Sequence, residues 1–504
     1  MILLFTLTQF LLPFDKTWYT IRTQHFVIHY YSGEEYFAKR LAIIAERVHK
    51  RLSEFLDYST RTQIILTDNY DSPNGIATVI PRNTVVIYLT QPRGVEFIVN
   101  YDDWLEYVFT HEYTHVLQMD MVHGGYKILR KIFGKVIVPG GILPTWLIEG
   151  IAVYDETKFT KGGRLNHSIF NMVIRKSVEK NTFPNINKIE VLTPTWPLDA
   201  PYVYGADFVG YLIARFGKEK LVQFFKTYTT LWFYGLNTPV EAISKKVFGN
   251  SFSTLWLEYQ IERTSYYRQE IEYIYSKGLT PCENITQDGY YSFTPVFSPC
   301  GSKLAFVKST PHDLNKIMLY DLRAKKLKTL YRGYVLPGID FSKDGRYIVF
   351  SALDIKDNYY THSDLYIYDL VKKKVKKLTH GLRAREPKFI SNDLIICVTM
   401  NNGIYNLALV NMNGEVKFIT QNSYGVVYAF PAPHPKFDLF AVSQWQNGYE
   451  DIVLMDYSGK IIARITCDSA IDLAPCFSHD GEWLYFVSDR SGIFNVYKLS
   501  LIHI

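Results

Sequence analysis

Cysteine is scarce in this chain of 504 residues, and what there is lies apart. Cys282, Cys300, Cys397, Cys467 and Cys476 all fall in the second half, and none has the close paired spacing of a zinc ribbon or a redox motif. An odd count leaves at least one thiol unpaired, so no disulfide framework is expected. Excess charge is also small: a formal +6 over the whole length. The one visible basic run, Lys372 to Lys374 with Lys376 and Lys377, sits between apolar strands and reads as a solvated strand edge. No nucleic-acid partner is expected. Long apolar runs are missing as well. The stretch Ile2 to Leu12 is too short to cross a bilayer but suits the core of a signal peptide over residues 1–14, although no Lys or Arg precedes it. That stretch leads to the expectation of an extracytoplasmic protein, periplasmic or secreted, and since no later run reaches spanning length, no transmembrane segment is expected in the mature chain.

Aromatic residues, by contrast, are abundant: 16%, with 39 Tyr and 32 Phe, which favours strands with half-buried faces. The length suggests two or three domains. Residues 17–279 alternate short strands with amphipathic helices, beginning with a strand at His25 to Tyr31 and a helix over Glu35 to Leu56. Further strands are read at Gln63 to Thr67 and Thr84 to Thr90, and helices at Asp102 to Met121, Pro144 to Glu156 and Tyr204 to Phe216. From residue 281 to 504 the texture changes to short apolar strands with a recurring Phe-Ser-x-Asp-Gly-like turn. Its anchors Phe297, Phe341, Phe389, His434 and Phe477 are 44, 48, 45 and 43 residues apart. That period fits four-stranded propeller blades, with Asp-Gly turning a tight hairpin. The repeats resemble TolB-like, WD-related propellers. Five blades are visible: either the ring closes with five, or it is truncated, and the resemblance favours the second because such rings usually hold more. The fold class expected is multidomain α+β: a small mixed sheet plus helices, then an all-β propeller.

The chemistry is carried by His111-Glu112-Tyr113-Thr114-His115. On a helix, residues four apart lie about 40° apart around the axis and about 6 Å along it, so both imidazoles can reach one metal ion. Zinc accepts two such nitrogens and acidifies water, and an adjacent Glu can take the proton. Against this stands the plainer reading of two hydrogen-bonded core histidines. A third ligand is offered by Glu149 in Trp146-Leu-Ile-Glu149-Gly-Ile-Ala152, although a carboxylate near a helix start also has a purely structural reason to be there.

With both motifs in this order, the first half resembles the gluzincin peptidases, the "peptidase MA-like" group that pairs such a zincin-like domain with TolB-like propellers. The resemblance implies one Zn2+ per chain on His111, His115 and Glu149, with Glu112 as general base. It also implies a catalytic tyrosine at a helix start, for which Tyr204 is the best match and Tyr202 the substitute. Two departures bear on specificity. The gap from His115 to Glu149 is longer than in the aminopeptidase relatives, which places an inserted excursion around Gly124-Gly125 and Gly140-Gly141 near the cleft. The family's G-x-M-E-N pattern is replaced by Asn74-Gly75-Ile76-Ala77-Thr78, with no carboxylate to hold a free amine. The expectation is therefore an endopeptidase, with a polypeptide substrate laid along the strand Thr84 to Thr90. The propeller would bind substrate or a protein partner. The competing expectation is a propeller-based binding protein whose zinc domain is inactive or structural. A weaker third is hydrolysis of a non-peptide substrate.

Overall fold

A computed structural model describes residues 12–93, 100–191, 197, 199–230, 240–286 and 291–501. The candidate signal segment lies outside them except for its last residues. The first half opens with the hairpin β1 (Trp18–Arg22) and β2 (Phe26–Tyr31), followed by α1 (Glu35–Leu56). The helix buries Phe37, Leu41, Ile44, Val48, Leu52 and Phe55, the stripe that its 3.6-residue period produces. Then come β3 (Thr62–Thr67), β4 (Gly75–Thr78) and β5 (Thr84–Tyr88).

These strands form one sheet in the order β1-β2-β3-β5-β4, with β2, β3 and β5 parallel and an antiparallel strand at each edge. The sequence reading made Thr84 to Thr90 the strand along which substrate lies. That is corrected here: β5 is bonded on both sides, to β3 and to β4, and has no free edge. Its nearly continuous burial is what a central strand of Val and Ile requires. The edge is β4, whose four residues are all partly exposed.

The remaining described helices are α2 (Trp104–Asp120), α3 (Gly124–Phe133), α4 (Thr145–Phe159), α5 (Ser168–Glu179), α6 (Ala200–Phe216), α7 (Lys218–Tyr228), α8 (Val240–Phe248) and α9 (Phe252–Ser276). α2 packs on β4 and β5, and α4 lies between α2 and α6. The last contact is unusually close because glycines meet there. A Cβ on Gly150 would stand 2.5 Å from the Gly205 carbonyl, and one on Gly205 would stand 2.2 Å from the Trp146 oxygen.

The second half is a five-bladed β-propeller. Its antiparallel blades are β6 to β9 over 291–332, β10 to β13 over 335–377, β14 to β17 over 384–418, β18 to β21 over 426–464, and the three-stranded β22 to β24 over 472–500. The innermost strands β6, β10, β14, β18 and β22 pack on one another in sequence order. The recurring turn is not the two-residue hairpin expected from Asp-Gly. Five residues join Phe341 to Tyr347, only Gly345 has positive φ (71°), and the serine side chain closes the loop. The Tyr347 amide donates to Ser342 Oγ at 2.9 Å, and Ser342 Oγ donates to Asp344 at 2.5 Å. The last blade repeats this with Ser478, Asp480 and Gly481.

Each innermost strand also carries a bulge with one left-handed residue: Thr294, Gly338, Glu386, Phe430 and Ala474. Two of these bulges are tied to the next blade at its own bulge. Gly338 N donates to Thr294 Oγ1 (3.1 Å), and Phe430 N donates to Glu386 Oε2 (2.7 Å).

The two halves share a continuous apolar core, with Tyr101 stacked on Trp445 at 4.5 Å. A buried ion cluster pins the loop before β4 to the propeller. Arg383 donates to Asp71 Oδ1 through Nε at 2.7 Å and also pairs with Asp68. Asp71 Oδ2 accepts from the Ser363 amide at 2.8 Å, and Asp68 Oδ2 from the Asn402 amide at 2.8 Å. After β5, Gln91 makes the second attachment, donating to the Gly403 oxygen and accepting at its own carbonyl from the Tyr405 hydroxyl, each at 2.8 Å. Among the described residues, no helix is long and apolar enough to cross a membrane.

Candidate metal centre

Helix α2 begins where Asp103 caps it, its side chain accepting from Leu105 N at 3.1 Å. From there it runs almost wholly buried, and the i, i+4 pair His111 and His115 is buried with it. The two Nε2 atoms lie 3.1 Å apart. Helix α4 brings Glu149 opposite them, its Oε2 3.3 Å from His115 Nε2 and 3.6 Å from His111 Nε2. Zinc–ligand bonds of about 2.0–2.1 Å in tetrahedral geometry put neighbouring donors about 3.3–3.4 Å apart. The triangle of 3.1, 3.3 and 3.6 Å has the size of one face of that tetrahedron. Glu149 Oε2 is buried and has no hydrogen-bond partner among the described residues, which is the condition of an atom a cation would satisfy. The donor set and the spacing therefore fit a zinc ion. Among the described residues, this is the one cluster of three His, Cys, Asp or Glu groups so arranged.

Behind it lies a layer that the motif does not reveal. His111 Nδ1 is 2.9 Å from Glu156 Oε2, leaving Nε2 to face the cluster. Glu156 is held in turn by Arg164, Nε to Oε1 at 2.8 Å and Nη2 to Oε2 at 2.7 Å, and by the Tyr107 hydroxyl at 2.6 Å. Although burial opposes its ionisation, Arg164 pushes the Glu156 carboxyl down to about 2. Burial and Arg164 favour neutral His111, yet the carboxylates of Glu149 and Glu156 outweigh them and raise it to about 9. Burial opposes ionisation of Glu149 too, but the two imidazoles hold its carboxyl well below the usual range. Nothing among the described residues hydrogen-bonds to His115 Nδ1. Glu156 and Arg164 were missed by the sequence reading. The available signal was the seven-residue step from Glu149 to Glu156, two helical turns on one face.

Glu112 lines a cavity of about 480 Å3 together with Gly75, Ala77, Glu149, Arg164 and Tyr202. Burial pushes its carboxyl above the ordinary range, against the pull of His111 and His115. The edge strand lies directly on it: a Cβ at Gly75 would be 2.6 Å from Glu112 Cγ.

No family model matches the chain. It is 25% identical over 245 residues to an uncharacterised protein of Treponema pallidum (strain Nichols), a match covering 48% of this chain and 21% of that one. The chain thus spans about a fifth of the length of this relative. Among solved structures, TolB from Acinetobacter baumannii matches 43% of this chain and 53% of its own, at 19% identity and TM-score 0.38. The propeller domain of the trilobed protease from Pyrococcus furiosus matches 42% and 67%, at 12% identity and TM-score 0.32.

The cavity also corrects the tyrosine assignment. Tyr204 is fully buried away from it, packed edge-on to Phe183 at 5.3 Å and near Trp256. Tyr202 lines it instead, its ring stacked toward His111 with centroids 6.5 Å apart and the Arg164 guanidinium 5.1 Å from its centre. Residues two apart on a helix point about 200° apart, so α6 can offer only one of the pair to the cleft.

Proposed function

We propose that this chain is a zinc-dependent endopeptidase of the gluzincin type. One observation carries the reading: His111, His115 and Glu149 present three donor atoms with the edge lengths of a tetrahedral zinc face. Zinc bound there would supply Lewis acidity and a water of pKa about 7. Glu112, on the same helix and lining the same cavity, takes the proton from the attacking water. Tyr202 donates its hydroxyl to the oxyanion that develops on the peptide carbonyl. Burial holds that phenol in its protonated, donating form, with Glu149 adding to the effect. The partly exposed edge strand β4 offers backbone groups to an extended substrate. No carboxylate of β4 stands ready to fix a free amine, which supports internal cleavage over aminopeptidase action. The propeller, joined to the loops on either side of β4 and β5, recruits or screens substrate.

Glu112→Gln tests the reading. The variant should retain stoichiometric zinc and lose peptide hydrolysis by 10²-fold or more, roughly the range of a lost general base. Undiminished turnover, or wild-type protein purified without chelator that holds no zinc, would overturn it.

A further inference from the structure

Helix α3, in the excursion between the two ligand-bearing helices, is the one described helix with no buried residue. Its sides are nevertheless sharply different. By helical period, Tyr126, Ile128, Leu129, Ile132 and Phe133 share one side, and Lys127, Arg130 and Lys131 the other. Ile128, Ile132 and Phe133 are 62%, 67% and 61% exposed, and the loop that follows adds Val136 at 61%. An amphipathic helix ordinarily turns its apolar side to the core. Here that side faces out. The charge is of one sign: from Met121 to Ile148 the chain has four cations and no Asp or Glu. Arg130 and Lys135 are spent on Asp120, while Lys127 and Lys131 are exposed and pair with no described carboxylate.

We propose that α3 docks on an anionic lipid bilayer, its apolar side at the boundary of acyl chains and headgroups and its lysines among the phosphates. A second copy of the chain fits the surface less well. Pairing α3 with itself would bring two cationic helices together with no opposing charge. The excursion is also fastened to the cleft. Gly140 sits against the backbone of Gln118 and Met119, and Met119 lines the cavity. Lys135 Nζ donates to Asn83 Oδ1 at 2.5 Å, just before β5. Docking by α3 would therefore hold the cleft close to the membrane surface. If the peptidase reading holds, the substrates are polypeptides attached to that surface. The docking itself does not depend on that reading.

Vesicle flotation of the full chain tests it, with phosphatidylcholine alone and with added phosphatidylglycerol. The wild type should float only with the anionic vesicles, and raised salt should release it. Ile132→Ser/Phe133→Ser should abolish flotation with an unchanged circular dichroism spectrum, since neither side chain enters the core. Lys127→Glu/Lys131→Glu should weaken binding by roughly fivefold or more per lysine. Glu112→Gln should float like wild type, which separates loss of docking from loss of hydrolysis. Wild type that stays in solution with both vesicles would overturn the proposal. So would a wild-type dimer that Ile132→Ser/Phe133→Ser converts to monomer without any effect of lipid.

Discussion

Gly75 has no side chain, and Glu112 occupies the space one would need. A Cβ there would meet Glu112 Cγ and Val108 Cγ2 at 2.6 Å and Glu112 Oε1 at 2.8 Å. Its backbone is not in the left-handed region, so the requirement is room rather than conformation. Gly75→Ala should leave zinc content unchanged and lower kcat by up to about 10²-fold, the cost of misplacing a reacting group by an ångström. Steady-state kinetics beside metal analysis would check this, and an unchanged kcat would mean that Glu112 does not need its present position. The pair His111 and His115 was legible from sequence because helical spacing alone brings i and i+4 together. Glu149 was legible through its neighbours Gly150 and Ala152. Tyr204 was misassigned because its resemblance to a motif fixes the helix but not the face, and the two candidate tyrosines differ by only two positions.

Among the elements, the contact of α4 with α6 governs the site. Both Glu149 and Glu156 ride on α4, and that helix approaches α6 through Gly150 and Gly205. Gly205→Ala would press a methyl group to 2.2 Å from the Trp146 carbonyl oxygen. It should cost about 1–3 kcal/mol, as overpacking does, and lower zinc retention, both readable by urea unfolding and metal analysis. A variant with full stability and full zinc would show that the helices can part without consequence. The long periodic helix α1 could be read from sequence residue for residue. α3 and α5 could not. The first shows its apolar side to solvent, and the second buries Arg175 and Ser177 beside its apolar residues. The edge strand β4 could be placed only through the resemblance, at Asn74 to Thr78, because four half-exposed residues carry no alternation of their own. The propeller bulges were invisible too, because Thr, Gly, Glu, Phe and Ala share no chemistry and only their place in the blade repeats.

Across the whole molecule, stability depends on charges buried where the halves meet. Arg383 neutralises Asp68 and Asp71 together, and Asp71 is held below its usual range against the opposing effect of burial. Arg383→Met would strand two buried carboxylates and should cost about 3–5 kcal/mol. Urea denaturation would measure it; a loss below about 1 kcal/mol, the range of a surface pair, would place the docking energy elsewhere. Inside the propeller, burial and the nearby Glu386 and Asp472 raise Glu450 from 4.5 to about 8. The folded chain then binds a proton that the unfolded chain releases. Stability should fall as pH rises from about 4.5 and level off above about 8. Glu34, raised to about 9 mainly by burial, acts in the same direction. Glu450→Gln should therefore flatten the decline without removing it, as seen in thermal midpoints at about pH 5 and pH 8. A variant whose midpoints track the wild type at both would show that Glu450 does not titrate across this interval.

The short hairpin of β4 and β5 is slung between two moorings, Asp68 and Asp71 before it and Gln91 after it. The first is made fast to the third blade and its neighbour and the second to the third blade alone, and the strand between them rests on Glu112. A guest on those blades that dragged Arg383 sideways would tug the sling, and the pull would shift Gly75 against the Glu112 side chain.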